Sequence, residues 1–115
     1  MTKKKIYFVS ILTGSFFLFS SLTTLAQNTG EIKLLLKEGN YARAEILTNR
    51  SIEDDLNNPE LLFYKGIIET NMSKNNQAID TFRDLTERFP ELPEPFNNLA
   101  VLYAEKGQYD LAKEI

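Results

Sequence analysis

Pro93-Glu-Pro-Phe-Asn-Asn-Leu-Ala-Val-Leu-Tyr-Ala-Glu-Lys-Gly-Gln-Tyr-Asp-Leu-Ala112 is the stretch that decides the fold. Phe96, Leu99, Ala100 and Tyr103 recur at i, i+3, i+4 and i+7, which places them on one face of a helix with 3.6 residues per turn. Pro93 and Pro95 suit the first turn of that helix, where an N–H would have no partner anyway. Gly107 suits the left-handed turn that ends it. Tyr109 and Ala112 then open a second helix, so the stretch reads as helix–turn–helix.

Working outward, the same punctuation returns at a spacing of 34 residues. Pro59 aligns with Pro93, Leu62 with Phe96 and Gly66 with Ala100. Gly39, Ser73 and Gly107 share one register, Tyr41, Asn75 and Tyr109 a second, and Ala44, Ala78 and Ala112 a third. Small residues meeting small residues in several registers mark helices that approach closely. The apolar stripes agree: Ala78, Phe82, Leu85 and Phe89 sit at i, i+4, i+7 and i+11, and Ile32, Leu35 and Leu36 make a shorter face. Asn58-Pro59-Glu60 reads as a helix cap, a first-turn proline and an early acidic residue; Asn76 reads as a cap for the next helix. The pattern predicts six helices over Glu31–Glu38, Tyr41–Asp54, Glu60–Met72, Gln77–Phe89, Glu94–Lys106 and Tyr109–Ile115.

With these residues the chain resembles the tetratricopeptide repeat (TPR) proteins, and among them a group of bacterial exported repeat proteins. The last unit carries Phe96, Leu99, Ala100, Tyr103, Gly107, Tyr109 and Ala112 at the family positions. The middle unit keeps Leu62, Gly66, Ala78, Phe82 and Pro90 but has Lys65, Glu69 and Leu85 where the family has Leu, Tyr and Ala. The first keeps Gly39, Tyr41 and Ala44. The resemblance implies an all-α fold of antiparallel helix pairs stacked as a short right-handed solenoid, with about 2.5 repeats near 25–58, 59–92 and 93–115, the third truncated. It also implies that the first helix of each pair lines a concave partner groove, here Phe63, Ile67 and Asn71 with Asn97, Asn98, Val101 and Glu105. Such a surface, apolar with amide groups, suits an extended peptide or a partner helix.

The beginning of the chain reads differently. Lys3, Lys4 and Lys5 precede an uncharged apolar run, Ile6–Leu22, and Thr24 and Ala26 are small residues two apart. That is the layout of a signal peptide over residues 1–26, cleaved between Ala26 and Gln27, ahead of a repeat domain over 27–115. The expectation is export to the periplasm or the medium; the alternative is an inner membrane anchor formed by residues 6–22. At the other end, helix six is short for the unit, so the open face is expected to be covered by further sequence or by another chain.

Composition narrows the function. The chain has no Cys and no His, which removes thiol chemistry, thiolate metal sites and the commonest general base. Its formal charge is −3; setting aside Lys3, Lys4 and Lys5 leaves 10 basic against 16 acidic residues. An acidic body argues against nucleic acid, and a membrane contact is expected only through the leading segment. Asp80, Asp84 and Glu87 lie among Arg83 and Arg88 at spacings for Arg83–Glu87 and Asp84–Arg88 ion pairs, the mark of a solvated helix face. No catalytic residue, metal ligand or cofactor loop stands out. The reading is a non-catalytic interaction module of the bacterial envelope with a protein or peptide partner; the alternative is the repeat segment of a larger exported enzyme acting on the cell wall.

Overall fold

A computed structural model describes residues 24–115. Six helices follow one another: α1 over residues 24–37, α2 Tyr41–Asp54, α3 Pro59–Asn71, α4 Asn75–Arg88, α5 Pro93–Glu105 and α6 Tyr109–Glu114. Each of α2 to α6 packs on its neighbour in sequence, and Leu35 joins α1 to Ala44 of α2 in one buried cluster. This is the all-α, stacked helix-pair arrangement of a short TPR-like solenoid.

The turns inside the pairs repeat one device. Gly39, Ser73 and Gly107 adopt φ of 72°, 61° and 73°. The N–H of Asn40, Lys74 and Gln108 donates to the carbonyl of Leu35, Glu69 and Tyr103 at 2.9, 2.8 and 2.8 Å. The N–H of Gly39, Ser73 and Gly107 donates to Leu36, Thr70 and Ala104 at 3.1, 3.1 and 2.9 Å. These are Schellman closures, which need a residue in the left-handed region and so favour glycine. Ser73 occupies that region against the preference of an L-residue.

Two helix starts differ from expectation. Helix α1 is already under way at residue 24, well before Glu31, so Ala26 and Gln27 lie within it. Residues 1–23, which carry the rest of the expected signal peptide, lie outside the described residues. Helix α4 begins at Asn75 with Lys74 in the capping position and no side-chain cap. Asn76 is not the cap; its Oδ1 accepts from Lys106 Nζ of the α5–α6 turn at 2.7 Å. By contrast Asn58 caps α3 as read, its Oδ1 accepting from Glu60 N at 3.0 Å and Leu61 N at 3.2 Å.

The core falls into two apolar clusters. One joins α3, α4 and α5 around Ala78, Phe82, Leu85, Leu99 and Tyr103. The other joins α1, α2 and α3 around Leu35, Ala44 and Ile68. Gly66 lets α3 lie against the Phe82 ring, because a Cβ there would stand 2.6 Å from Cζ of that ring. The buried polar residues of the described chain, Thr48, Ser51 and Glu69, sit on α2 and α3. Ser51 is satisfied, its Oγ donating to Leu47 O at 2.8 Å and accepting from Asn28 Nδ2 at 3.2 Å.

Candidate protein-interaction surface

Helices α3 and α5 both pack on α4, and they carry all seven residues assigned to the partner groove. Their states differ along the surface. Phe63 is half-buried, its ring tilted against Phe82 at 5.8 Å between centroids. Ile67 is half-buried and, like Phe63, packs on the larger core cluster. These two are therefore partly structural. Val101 is a free apolar side chain, 56% exposed. Asn97 and Glu105 are exposed beside it on α5.

The two amides that pair do so locally. Asn71 Nδ2 donates to Ile67 O at 2.8 Å, and Asn98 Nδ2 donates to Glu94 O at 2.9 Å. Each bonds the carbonyl one turn back on its own helix rather than bridging helices. Such bonds hold the amide in place yet leave its oxygen as an acceptor for an incoming chain.

A charged group missed by the sequence reading lies on the neighbouring surface. Lys33 of α1 pairs with Glu60 of α3 at 3.1 Å, Tyr64 Oη donates to the same carboxylate at 2.8 Å, and Lys33 stands 6.0 Å from the Tyr64 ring centroid. The hydrogen bond from Tyr64, aided by Lys33, holds the Glu60 carboxyl below its ordinary pKa. Burial and the Glu60 bond push the Tyr64 phenol up. Lys33 and Glu60 are 27 residues apart, a spacing with no signature until α1 and α3 are stacked.

The second helices present a different face. Asp80, Asp84 and Glu87 are all exposed. Arg88 pairs with Asp84 at 2.8 Å as expected. Arg83 does not pair with Glu87; its Nη2 donates to Tyr103 Oη of α5 at 2.9 Å. A tertiary acceptor on the next repeat won over the same-helix partner, because an exposed i,i+4 pair gives only about 0.2–0.5 kcal/mol. Among the described residues no group of three or more acidic side chains is placed to hold a metal ion. Nor is any described helix long and apolar enough to cross a membrane.

No protein-family model matches the chain. The photosystem I assembly protein Ycf3 of Dioscorea elephantipes is 34% identical over 84 residues, an alignment covering 69% of this chain and 48% of that protein. The chain thus spans about half the length of the curated relatives it matches. Among solved structures, the type III secretion translocator chaperone SycD of Yersinia enterocolitica, in complex with a peptide of the translocator YopD, superposes with a TM-score of 0.75 at 18% identity. That match covers 79% of this chain and 70% of SycD. PcrH, in complex with the chaperone binding region of PopB, superposes with a TM-score of 0.74 at 15% identity, covering 79% and 73%. At these identities the superpositions establish the shared fold.

Proposed function

We propose that this chain is a non-catalytic binding module that takes an extended peptide or a helix of a partner protein along α3 and α5. The observation that carries the reading is Val101: an apolar side chain 56% exposed, flanked by the free polar side chains Asn97 and Glu105, on α5, the first helix of the pair that follows the one carrying Phe63 and Ile67. An exposed apolar residue gains from burial against a partner, and amides at fixed positions can pair with its backbone. The solved chaperones of the same fold support this, since two of them were captured with a segment of another protein. The reading extends to location: the basic start and the apolar run at 6–22 support export, with cleavage after Ala26.

The test uses the full chain in its own cells, with a photo-crosslinking residue in place of Val101 and, as a control, of the exposed Glu87 on α4. Val101 is expected to give a discrete protein adduct that Glu87 does not give. Adducts of equal yield from both positions, or none from Val101, would overturn the assignment. The intact mass of the uncrosslinked protein in the same preparation reports export: a species beginning at Gln27 agrees with it, and retention of residues 1–26 contradicts cleavage.

A further inference from the structure

The three helix pairs place Leu35, Glu69 and Tyr103 at the same register, each on the last turn of a first helix. All three are buried, at 5%, 6% and 7% exposure. Leucine and tyrosine are ordinary occupants of such a site, and Tyr103 sends its hydroxyl out to Arg83. A carboxylate is not, since burial without a close cation disfavours its charged form.

The surroundings of Glu69 supply little compensation. Oε2 accepts from Thr81 Oγ1 of α4 at 2.7 Å. The nearest ammonium, Lys65 on α3, stands 4.0 Å from Oε1 and is itself substantially exposed. Lys74, in the turn before α4, is committed to Glu45 of α2 at 2.6 Å. Glu45 carries a like charge towards Glu69, and Asp80 of α4 lines the same open depression of about 560 Å³. Burial is the largest influence on the Glu69 carboxyl and pushes its pKa up, outweighing the opposing pull of Thr81, Lys65 and Lys74.

A second, independent feature adjoins it. A cavity of about 30 Å³, lined by Glu45, Thr48, Asn49, Lys65, Ile68 and Glu69, lies between α2 and α3. That is room for one water molecule. Thr48 is wholly buried against it, and its Oγ1 has no hydrogen-bond partner. An ionised Glu69 is an acceptor only; a protonated one gains an O–H donor. Thr48 Oγ1, a hydroxyl that can both donate and accept, is an unpaired polar group on the same cavity wall.

We propose that Glu69, Thr81 and the cavity under Thr48 form a proton-binding site at the junction of the first and second helix pairs, and that taking up the proton tightens α2 against α3. Neutral Glu69 accepts from Thr81 and donates across the cavity. Ionised Glu69 meets Glu45 and an imperfect lysine partner, so the junction loosens. The sign follows from linkage: a carboxyl whose folded pKa is raised contributes stability that is complete below the ordinary value of 4.5 and is lost as pH rises through the folded value. The site is independent of the partner surface on α3 and α5, and its test needs no ligand.

The experiment is carbon-detected NMR titration of the Glu69 carboxyl in the full chain, alongside thermal unfolding of the wild type and Glu69→Gln from pH 4.5 to 8. Glu69 should titrate above 4.5, and the Tm of Glu69→Gln should exceed that of the wild type by a margin that grows with pH. Thr81→Val, which removes the donor to the carboxylate, should raise the Glu69 midpoint further. A midpoint at or below 4.5, or parallel Tm profiles for the two proteins, would overturn the proposal. The NMR arm stands on the wild type alone, so a variant that fails to fold leaves it decisive.

Discussion

Gly66→Ala tests the close packing of α3 on α4. A Cβ at this position would lie 2.6 Å from Phe82 Cζ, 2.7 Å from Cε1 and 3.0 Å from Cε2. Carbon atoms settle at about 3.5–4.0 Å, so the ring tip must retreat by about 1 Å. Phe82 is completely buried and leans on Phe63, so the retreat disturbs Phe63 as well. Overpacking of this kind costs about 1–3 kcal/mol, and a clash with a fully buried ring belongs in the upper half of that range. Alanine returns about 0.8–1 kcal/mol over glycine in a helix interior. The net loss is about 1–2 kcal/mol, or about 4–16 °C in Tm for a domain of this size. Thermal unfolding of the full chain followed by circular dichroism at 222 nm measures it. The partner variant Phe82→Leu removes the clash, so in that background Gly66→Ala should be neutral or stabilising. A Gly66→Ala Tm at or above wild type, or the same loss in both backgrounds, would refute the steric argument.

Two further changes probe the turns. Ser73→Gly should stabilise by about 0.5–1 kcal/mol, because glycine relieves the left-handed strain of about 1–2 kcal/mol while giving back part of it in chain entropy; a fall in Tm would contradict this. Asn58→Ala should lower the urea midpoint by an amount equivalent to about 1 kcal/mol, since two N–H groups of α3 lose their acceptor. An unmoved midpoint would show that water replaces the cap without cost.

Much of the fold was legible because it is local. Apolar spacing, prolines and glycines predict the range of α2 to the residue, and those of α3, α5 and α6 to within a residue at either end. The sequence puts the start of α4 two residues late because Asn76 has the chemistry of a cap; a polar residue capable of capping can equally serve a neighbouring turn, and Lys106 claims it. The apolar pattern starts α1 late because only its Ile32–Leu36 portion carries an apolar face; the earlier part is held by contacts such as Asn28 to Ser51, which no periodicity announces. The seven residues that the sequence assigns to the candidate surface all fall on α3 and α5. The sequence does not show that Phe63 and Ile67 are half committed to the core while Val101 is free.

The sequence by itself determined the repeat: where helices begin, where glycine or its substitute turns the chain, and which stripes are apolar. These depend on bonds and contacts spanning a few residues. Only the tertiary structure decided what equivalent positions experience. Leu34, Ile68 and Leu102 share a register 34 residues apart, yet Leu34 is 53% exposed and the other two 1%. Among the described residues no helix pair precedes α1 to cover Leu34, whereas each later leucine or isoleucine is sealed by the pair before it. The same rule made Glu69 a buried carboxylate and gave Arg83 to Tyr103. Burial and partnership belong to neighbours brought together by stacking, and a repeat pattern does not say which neighbours a given copy will have.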